Sequence, residues 1–476
     1  MAEDMDTTPF RVIIVGGSVA GLTLANSLSR QNIDFLVLEA HDDIAPPVGA
    51  AFGLICHGAM ILDQLGMFDD IYEMVEPVRE IHSWREGGVS LTKLETPKLL
   101  ETRYGYPCVW LERQQLLGVM FKHLREKEKV LAKKRFLRAE HSARGVIAHC
   151  SDGTSFNGSI IVGADGVHSP VRQDMWRHMK DAGLGPALKK DLTATIFQYS
   201  CVYGVSAPTV GIEPGIVHRL FGKDFTYFSV VGNERIVYWF LITKLEKTYR
   251  APDVPKLNRD DIEDHIRPYF TQKVNDRVHF QDIYRNTTST YHVPIEEGTF
   301  ECWTWNRFAC VGDAINQTTP NLAQGLNGAI ENAVSLTNCI ASMLKAEDPI
   351  NLSTANIDWY LSTWASSRKP RAHAACLASS IMTRFEALLF WRHKFIVLHI
   401  LPHFKDSMGD LAGYFIAGSD RLDFLPLPDR SLKGTTPFND SDRKVCIYHR
   451  EQGSKSRGPE WNATTFVWHL LAKAFM

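Results

Sequence analysis

The nine cysteines, at positions 56, 108, 150, 201, 302, 310, 339, 376 and 446, include no CxxC pair and are odd in number. A disulfide framework and a zinc site both call for paired spacing, so neither is expected, and the chain reads as one kept in a reducing compartment. Basic surplus is missing as well, with a net charge of −2 and 22% charged residues. Nothing is therefore left over to neutralise phosphates, and no nucleic-acid partner is expected. The first ten residues, MAEDMDTTPF, are acidic and polar, which reads against a secretory or mitochondrial signal. Long uncharged apolar runs are also absent. The greasiest stretch, EALLFWRHKFIVLHILPHF (386–404), is broken by Arg392, His393 and Lys394, and TTFVWHLLAKAFM (464–476) is short. Neither reaches the ~20 residues of a spanning helix. The first suits a helix bedded in the headgroup region, or one covering the first domain. A sequon at Asn462-Ala463-Thr464 reads as coincidental in such a chain. There are no internal repeats.

What is present is a chain of 476 residues, 45% hydrophobic, long enough for two or three cores. Residues 12–15 form a β-branched run, 20–29 carry apolar residues at helical spacing, and 35–39 form a second strand. This is a β-α-β unit close to the start of the chain. Helices are expected over 59–65, closed by Gly66, over 114–129, 259–271 and 326–344, with strands at 159–163 and 308–311. Between 192 and 242 the texture changes to alternating aromatic, β-branched and polar residues, an antiparallel sheet inserted into an α/β chain. No second glycine-rich β-α-β unit appears, so only one dinucleotide is expected to be bound permanently.

The loop after the first strand reads GGSVAG (16–21) where a dinucleotide-binding loop has GxGxxG. Gly16 and Gly21 fill the roles of tight turn and helix–strand packing. Ser18 stands where the second glycine would approach a pyrophosphate. Gly17 beside it relieves the turn, and the serine hydroxyl is able to donate to phosphate. The helix N-terminus still directs free N–H groups at an anion. Glu39, at the end of the second strand, is placed to accept from ribose hydroxyls. It disfavours a 2′-phosphate, which points to the adenosine of FAD or NAD and away from NADP.

Two more stretches, IIVGADGVHSPVR (160–172) and FACVGDAINQTTPNLAQGLNGAIENA (308–333), complete a set. With the glycine loop they resemble the three fingerprints of the single-component FAD-dependent monooxygenases of the para-hydroxybenzoate hydroxylase type, over residues 10–375. The resemblance implies an α/β fold: one Rossmann-type FAD-binding domain (1–185 and 301–375), an inserted antiparallel-sheet substrate domain (186–300, with a contribution near 76–105), and a C-terminal helical extension (376–476). It implies bound FAD contacted by Gly16, Gly17, Ser18, Gly21, Glu39, Gly53, Arg113, Asp165, Gly166, Asp313 and Leu326, with Arg172 closing the second motif and Pro320 and Leu322 to Leu326 lying under the flavin. Asp165-Gly166 is also a turn that any strand could end in. The chain departs from the family at Asn316, where histidine is common, and at Leu326, where alanine is common.

Within that superfamily VGGSVAGLTLANSL, YSCVYGVS and RLDFLPLPDRSLKGTTPFN are most similar to the fungal meroterpenoid and indole-diterpene epoxidases of the paxilline type. The resemblance implies reduction by NADPH or NADH, O₂ as co-substrate, and epoxidation of the terminal alkene of a farnesyl or geranylgeranyl chain. The prenylated product would pass to a membrane terpene cyclase, which suits a cytoplasmic-side protein at an internal membrane surface. An alkene needs positioning and dryness rather than a base. Hydroxylation of an aromatic or polyketide ring stays open as the alternative, as do a prenyl reductase and a non-catalytic flavin-bound partner. Tyr203 and Arg219 are the polar residues expected to face the flavin edge from the aromatic-rich sheet, and no metal site is expected.

Overall fold

The computed structural model describes residues 10–46, 51–141, 145–257, 261–400, 403, 407–436 and 438. The sequon and the 464–476 stretch lie outside the described residues. The β-branched run becomes the strand Arg11–Val15, inside a six-stranded sheet ordered Thr304–Trp305, Phe308–Cys310, Ile160–Gly163, Arg11–Val15, Asp34–Leu38, Val130–Leu131. All neighbours pair in parallel except at the Thr304–Trp305 edge. Val12, Ile13 and Ile14 are fully buried, as expected of a central parallel strand covered on both faces. The helices Val19–Arg30 and Gln324–Ala346 pack on one another over this sheet. A three-stranded antiparallel sheet, Phe136–His141, Val146–Cys150 and Ser155–Gly158, lies against the first strand. Each fingerprint thus begins as its own strand of one sheet, which delivers the three following turns to a common edge.

The second layer is an eight-stranded sheet ordered Asn316–Gln317, Thr287–Thr299, Ile196–Ser206, Val237–Arg250, Phe225–Val231, Ile216–Gly222, Glu80–Arg85, Val89–Leu94. It is antiparallel apart from the pairing of Ile216–Gly222 with Glu80–Arg85. The period-2 rule sorts its aromatics. Tyr238, Phe240 and Ile242 join Tyr199 and Phe228 on one face, while Trp239 and Leu241 join Phe225 and Tyr227 on the other, under Phe280 and Ile283. A smaller antiparallel sheet, Ala51–Leu54, Cys108–Glu112 and Pro77–Val78, fills the space between the layers.

Two expected helices come out shorter, and one long helix was not foreseen. The segment expected at 114–129 is helical only over Arg113–His123. Leu124 turns to extended backbone and buries its side chain, and the charged run behind it leaves as a short turn, Lys127–Lys129. The segment expected at 259–271 yields only Ile262–Ile266 and a tight turn, Arg267–Tyr269, where Pro268 lacks the N–H a longer helix needs. Conversely, one helix of 33 residues, Thr354–Glu386, runs through Pro370 and across the 375/376 division drawn from sequence. Pro370 removes one backbone bond. The helix continues because Arg368 and Arg371 on either side are locked into buried ion pairs with Glu331 at 2.8 and 2.6 Å. It stops at Leu388, whose φ is +47°.

Candidate active site

A cavity of about 840 Å³ runs along the edge of the parallel sheet where the three fingerprint turns meet. Of the residues expected to hold FAD, Gly16, Ser18, Glu39, Gly53, Arg113, Asp165, Gly166, Asp313 and Leu326 line it. Gly17 and Gly21 do not. Gly17 instead donates its N–H to Glu39 Oε2 at 2.6 Å, and Gly21 sits in the first helical turn against the Gly16 carbonyl. Gly16 itself has φ +104°, and a Cβ there would run into the Ala164 carbonyl. Only glycine fits this turn between two neighbouring strands.

Glu39 follows the strand Asp34–Leu38 directly and accepts from Gly17 N and from His41 N at 2.8 Å. Each carboxylate oxygen keeps a free lone pair for a ribose hydroxyl. Lys134, Arg135 and Phe136 border the same end, and no local motif marks them in the sequence. Ser18 is the N-cap of the helix Val19–Arg30, in extended backbone, with no side-chain cap bond. Its hydroxyl accepts from Arg113 Nη2 at 3.1 Å. It thus holds an arginine, a contact not foreseen from the sequence, and its hydrogen stays available to a further acceptor such as a phosphate. Arg113 opens the helix Arg113–His123, fixed by a reciprocal Glu112–Gln115 cap.

Asp165 caps the next helix by accepting from Val171 N at 3.0 Å, and burial pushes its carboxyl up to about 6. Arg172 ties this turn to the third fingerprint, donating to the carbonyls of Val167 at 2.8 Å and Ala314 at 2.6 Å. Asp313 lies deep in the protein, yet its side chain is exposed, because the space it faces is the cavity. Burial pushes its carboxyl up to about 6, and among the described residues no side chain or N–H bonds to it. A carboxylate placed so deep, without donors, fits a polyol that would bring them, as the ribityl chain of FAD does. Glu296 behind it is pushed up to about 7 by burial and then by Asp313.

The far end is apolar. Gly53 pairs with Trp110 across the small sheet, and a Cβ at 53 would stand 3.0 Å from Ala323 Cβ and 3.2 Å from the Trp110 ring. Ala323, with φ +53°, starts the helix Gln324–Ala346. Asn327 locks the two walls together: its Nδ2 donates to Gly53 O at 2.9 Å and to Ala323 O at 2.7 Å, and its Oδ1 accepts from Ile55 N at 3.1 Å. Leu326 closes the floor. Phe240 joins Trp110 there, with ring centroids 5.7 Å apart, and stacks on Phe228 at 4.4 Å. Trp110 was readable from alternation, since Val109 and Leu111 point into the core and the aromatic falls on the other parity.

Tyr203 and Arg219, expected at the flavin edge, do not line the cavity. Tyr203 stacks on Tyr291 at 5.3 Å and leans on Phe240. Arg219 is drawn off by the buried carboxylate of Glu386 at 2.9 Å and reaches the Asn321 carbonyl at 3.4 Å. Glu386 also accepts from Asn321 Nδ2, and Thr383 donates to both Asn321 Oδ1 at 2.6 Å and Thr319 Oγ1 at 2.8 Å. The end of the long helix thus clamps the 319–323 loop that forms one cavity wall. Of the described residues, no group of His, Cys, Asp or Glu is arranged to hold a metal.

The family model described as FAD binding domain matches residues 9–376. The chain is 34% identical over 441 residues to the FAD-dependent monooxygenase spyC of Aspergillus fumigatus, covering 92% of this chain and 93% of that one. It is 33% identical to the FAD-dependent monooxygenase olcE of Penicillium canescens, covering 93% and 95%. Among solved structures it is similar in fold to Klebsiella pneumoniae HpxO complexed with FAD and uric acid, with a TM-score of 0.68 at 21% identity over 90% of this chain and 97% of that one. A salicylate hydroxylase substrate complex gives 0.67 at 14%, over 91% and 99%. The cavity, its donorless carboxylate and these matches agree: the chain belongs to the FAD-binding-domain family and, within it, to the FAD-dependent monooxygenases.

Proposed function

We propose that this monooxygenase works in fungal secondary metabolism, epoxidising the terminal alkene of a farnesyl or geranylgeranyl chain carried on an aromatic, polyketide or indole head group. NADPH or NADH and O₂ are its co-substrates, and a membrane terpene cyclase consumes the product. The observation that carries the reading is the Trp110–Phe240 face at the apolar end of the cavity, with Phe228 stacked on Phe240 behind it. Rigid aromatic walls bind a hydrocarbon chain by area alone and keep water out.

Bound FAD supplies the redox chemistry, taking a hydride from the nicotinamide and activating O₂ for transfer of one oxygen atom. The chain's own residues do the rest. Glu39 would hold the adenosine ribose, Ser18, Arg113 and the helix N-terminus the pyrophosphate, and Asp313 the ribityl hydroxyls. The free N–H groups at the start of Gln324–Ala346, which borders the cavity, would favour negative charge on a flavin bound there by ~0.3–1 kcal/mol. An alkene is itself the nucleophile, so no side chain has to remove a proton, and orientation against the aromatic wall is what the protein contributes.

Purified protein, NADPH, ¹⁸O₂ and a prenylated aromatic should yield an epoxide carrying one ¹⁸O atom. Label on the ring, with the alkene intact, would instead select ring hydroxylation. Saturation of the alkene without O₂ would select a reductase, and an inert flavin with every substrate a binding role.

A further inference from the structure

Exposed large apolar side chains are mostly scattered singly in this protein, as on any soluble surface, but three fall within six residues just past the long helix. Phe390 is 53% exposed, Trp391 78% and Phe395 53%. Trp391 and Phe395 lie in the short helical turn Trp391–Phe395, with Phe390 as its N-cap, and the segment Trp391–Ile400 leaves the axis of Thr354–Glu386 at 80°. Between them stand Arg392 and Lys394, both exposed.

The turn is held in this pose. His393 points inward, its ring 4.3 Å from that of Phe385 and its Nδ1 3.1 Å from the Arg384 carbonyl. Val397 on the following turn is buried. Asp224 N donates to Ala387 O at 2.9 Å, pinning the start of the segment to the large sheet. The acidic neighbour that comes with that contact, Asp224, is paired with Lys244 at 3.4 Å and leaves Arg392 and Lys394 without a carboxylate of their own among the described pairs. Among the described residues no single helix is long and apolar enough to cross a membrane.

From this arrangement we propose that the 390–395 turn docks the protein on an anionic phospholipid bilayer surface. Trp391, Phe390 and Phe395 enter the headgroup region, and Arg392 and Lys394 meet lipid phosphates. Charge complementarity selects the occupant: aromatic side chains alternating with cations match an interface that is greasy beneath and negative above. Docking here would set Glu386, four residues before Phe390, and the cavity loop it clamps close to the bilayer, where a prenylated substrate dissolves. The docking itself does not rest on the substrate reading, and its test contains no substrate.

The full FAD-loaded chain is sedimented with vesicles of phosphatidylcholine alone and of phosphatidylcholine with phosphatidylserine. Partition should be at least roughly tenfold stronger on the anionic vesicles and fall with added salt. W391S/F395S should lose binding by a similar factor with flavin content unchanged. R392Q/K394Q, which touches only exposed charges, should lose the preference for phosphatidylserine while keeping the residual binding. Equal sedimentation of wild type and both variants would overturn the proposal and assign binding elsewhere in the chain. So would indifference to lipid charge, or a self-association that W391S abolishes without any vesicle binding in the parent.

Discussion

Arg113 Nη2 donates to Ser18 Oγ across 3.1 Å, joining the first residue of one helix to the N-cap of another. The serine that replaces a glycine in the dinucleotide loop is therefore a handle. It fixes an arginine at the end of the cavity where a pyrophosphate belongs, and its hydroxyl hydrogen remains free for a third group. Ser18→Gly restores the commoner loop but leaves the guanidinium unheld. FAD affinity, followed by quenching of flavin fluorescence on titrating the apoprotein, is expected to fall roughly tenfold, the worth of one charge-assisted hydrogen bond. Tighter binding by the glycine variant would show that the serine is only tolerated.

Asn327, itself fully buried, makes three bonds: two fasten the start of Gln324–Ala346 to Gly53 and Ile55 at the strand end, and the third holds the Ala323 carbonyl. Asn327→Leu keeps the volume and strands those backbone groups. About 2–4 kcal/mol of stability should be lost, read as a lower thermal midpoint. Bound FAD should offset part of that loss, because it binds only the folded form.

Glu331, Arg368, Arg371 and Asp420 form a buried network that ties the long helices to the 415–422 segment, with Arg371 Nη2 also donating to the Phe415 carbonyl. The arginines hold the Glu331 carboxyl well below the usual carboxylate range against the opposing push of burial. Arg371→Ala removes one partner and leaves charge uncompensated, at a cost of about 3–5 kcal/mol. Limited proteolysis should then cut first within 407–436, while the parent resists there.

His57 lies against the same network, fully buried, and neither ring nitrogen has a hydrogen-bond partner among the described residues. Burial pulls it from its ordinary 6.5 down to about 4; Glu331 opposes this, and Arg371 and Arg368 add to it. Between these values the unfolded chain takes up the proton and the folded one does not, so stability is full above pH 6.5 and declines as pH falls toward 4. The loss is on the order of 3 kcal/mol from this group. His218 and His292, both buried and also lowered to about 4, push the same way. His57→Leu should flatten part of the slope of thermal midpoint against pH across that window and cost little at pH 7. An unchanged slope would exclude His57 as a contributor.

The glycine loop, Glu39 and Asp313 could be read from the sequence because each function is local: a turn, a strand end and a helix start lie within a few residues of one another. The cavity's apolar end is built differently. Gly53 was legible as a motif and the parity of Trp110 from alternation, but that the two face one another is decided only by sheet register. A helix end was misjudged where burial of one residue, Leu124, overrode a continuing helical pattern, and the helix that two arginines carry through Pro370 was not foreseen. The polar residue chosen on the aromatic sheet, Arg219, had the right neighbourhood and the wrong partner, because Glu386 lies 167 residues further on.

That last pair decides what Arg219 is for. Placed on substrate, its removal would act alone. Placed as observed, it acts through Glu386 and the 319–323 loop, and the two residues form one unit with Asn321. Burial pushes the Glu386 carboxyl up, and Arg219, followed by Asn321, pulls it back down. Arg219→Met thus leaves a buried carboxyl without its counter-charge, and Glu386→Gln leaves the guanidinium without its own. Each single variant should weaken FAD retention several-fold and raise the flavin off-rate, by loosening one cavity wall. The double variant should be little worse than either, because contacting residues in one network are not additive. If Arg219→Met leaves flavin retention and Glu386→Gln untouched in the cycle, yet abolishes oxygen transfer, the arginine works on the substrate and the clamp is incidental. Coupled losses in the flavin off-rate, measured without any substrate present, would make Arg219 a positioning residue.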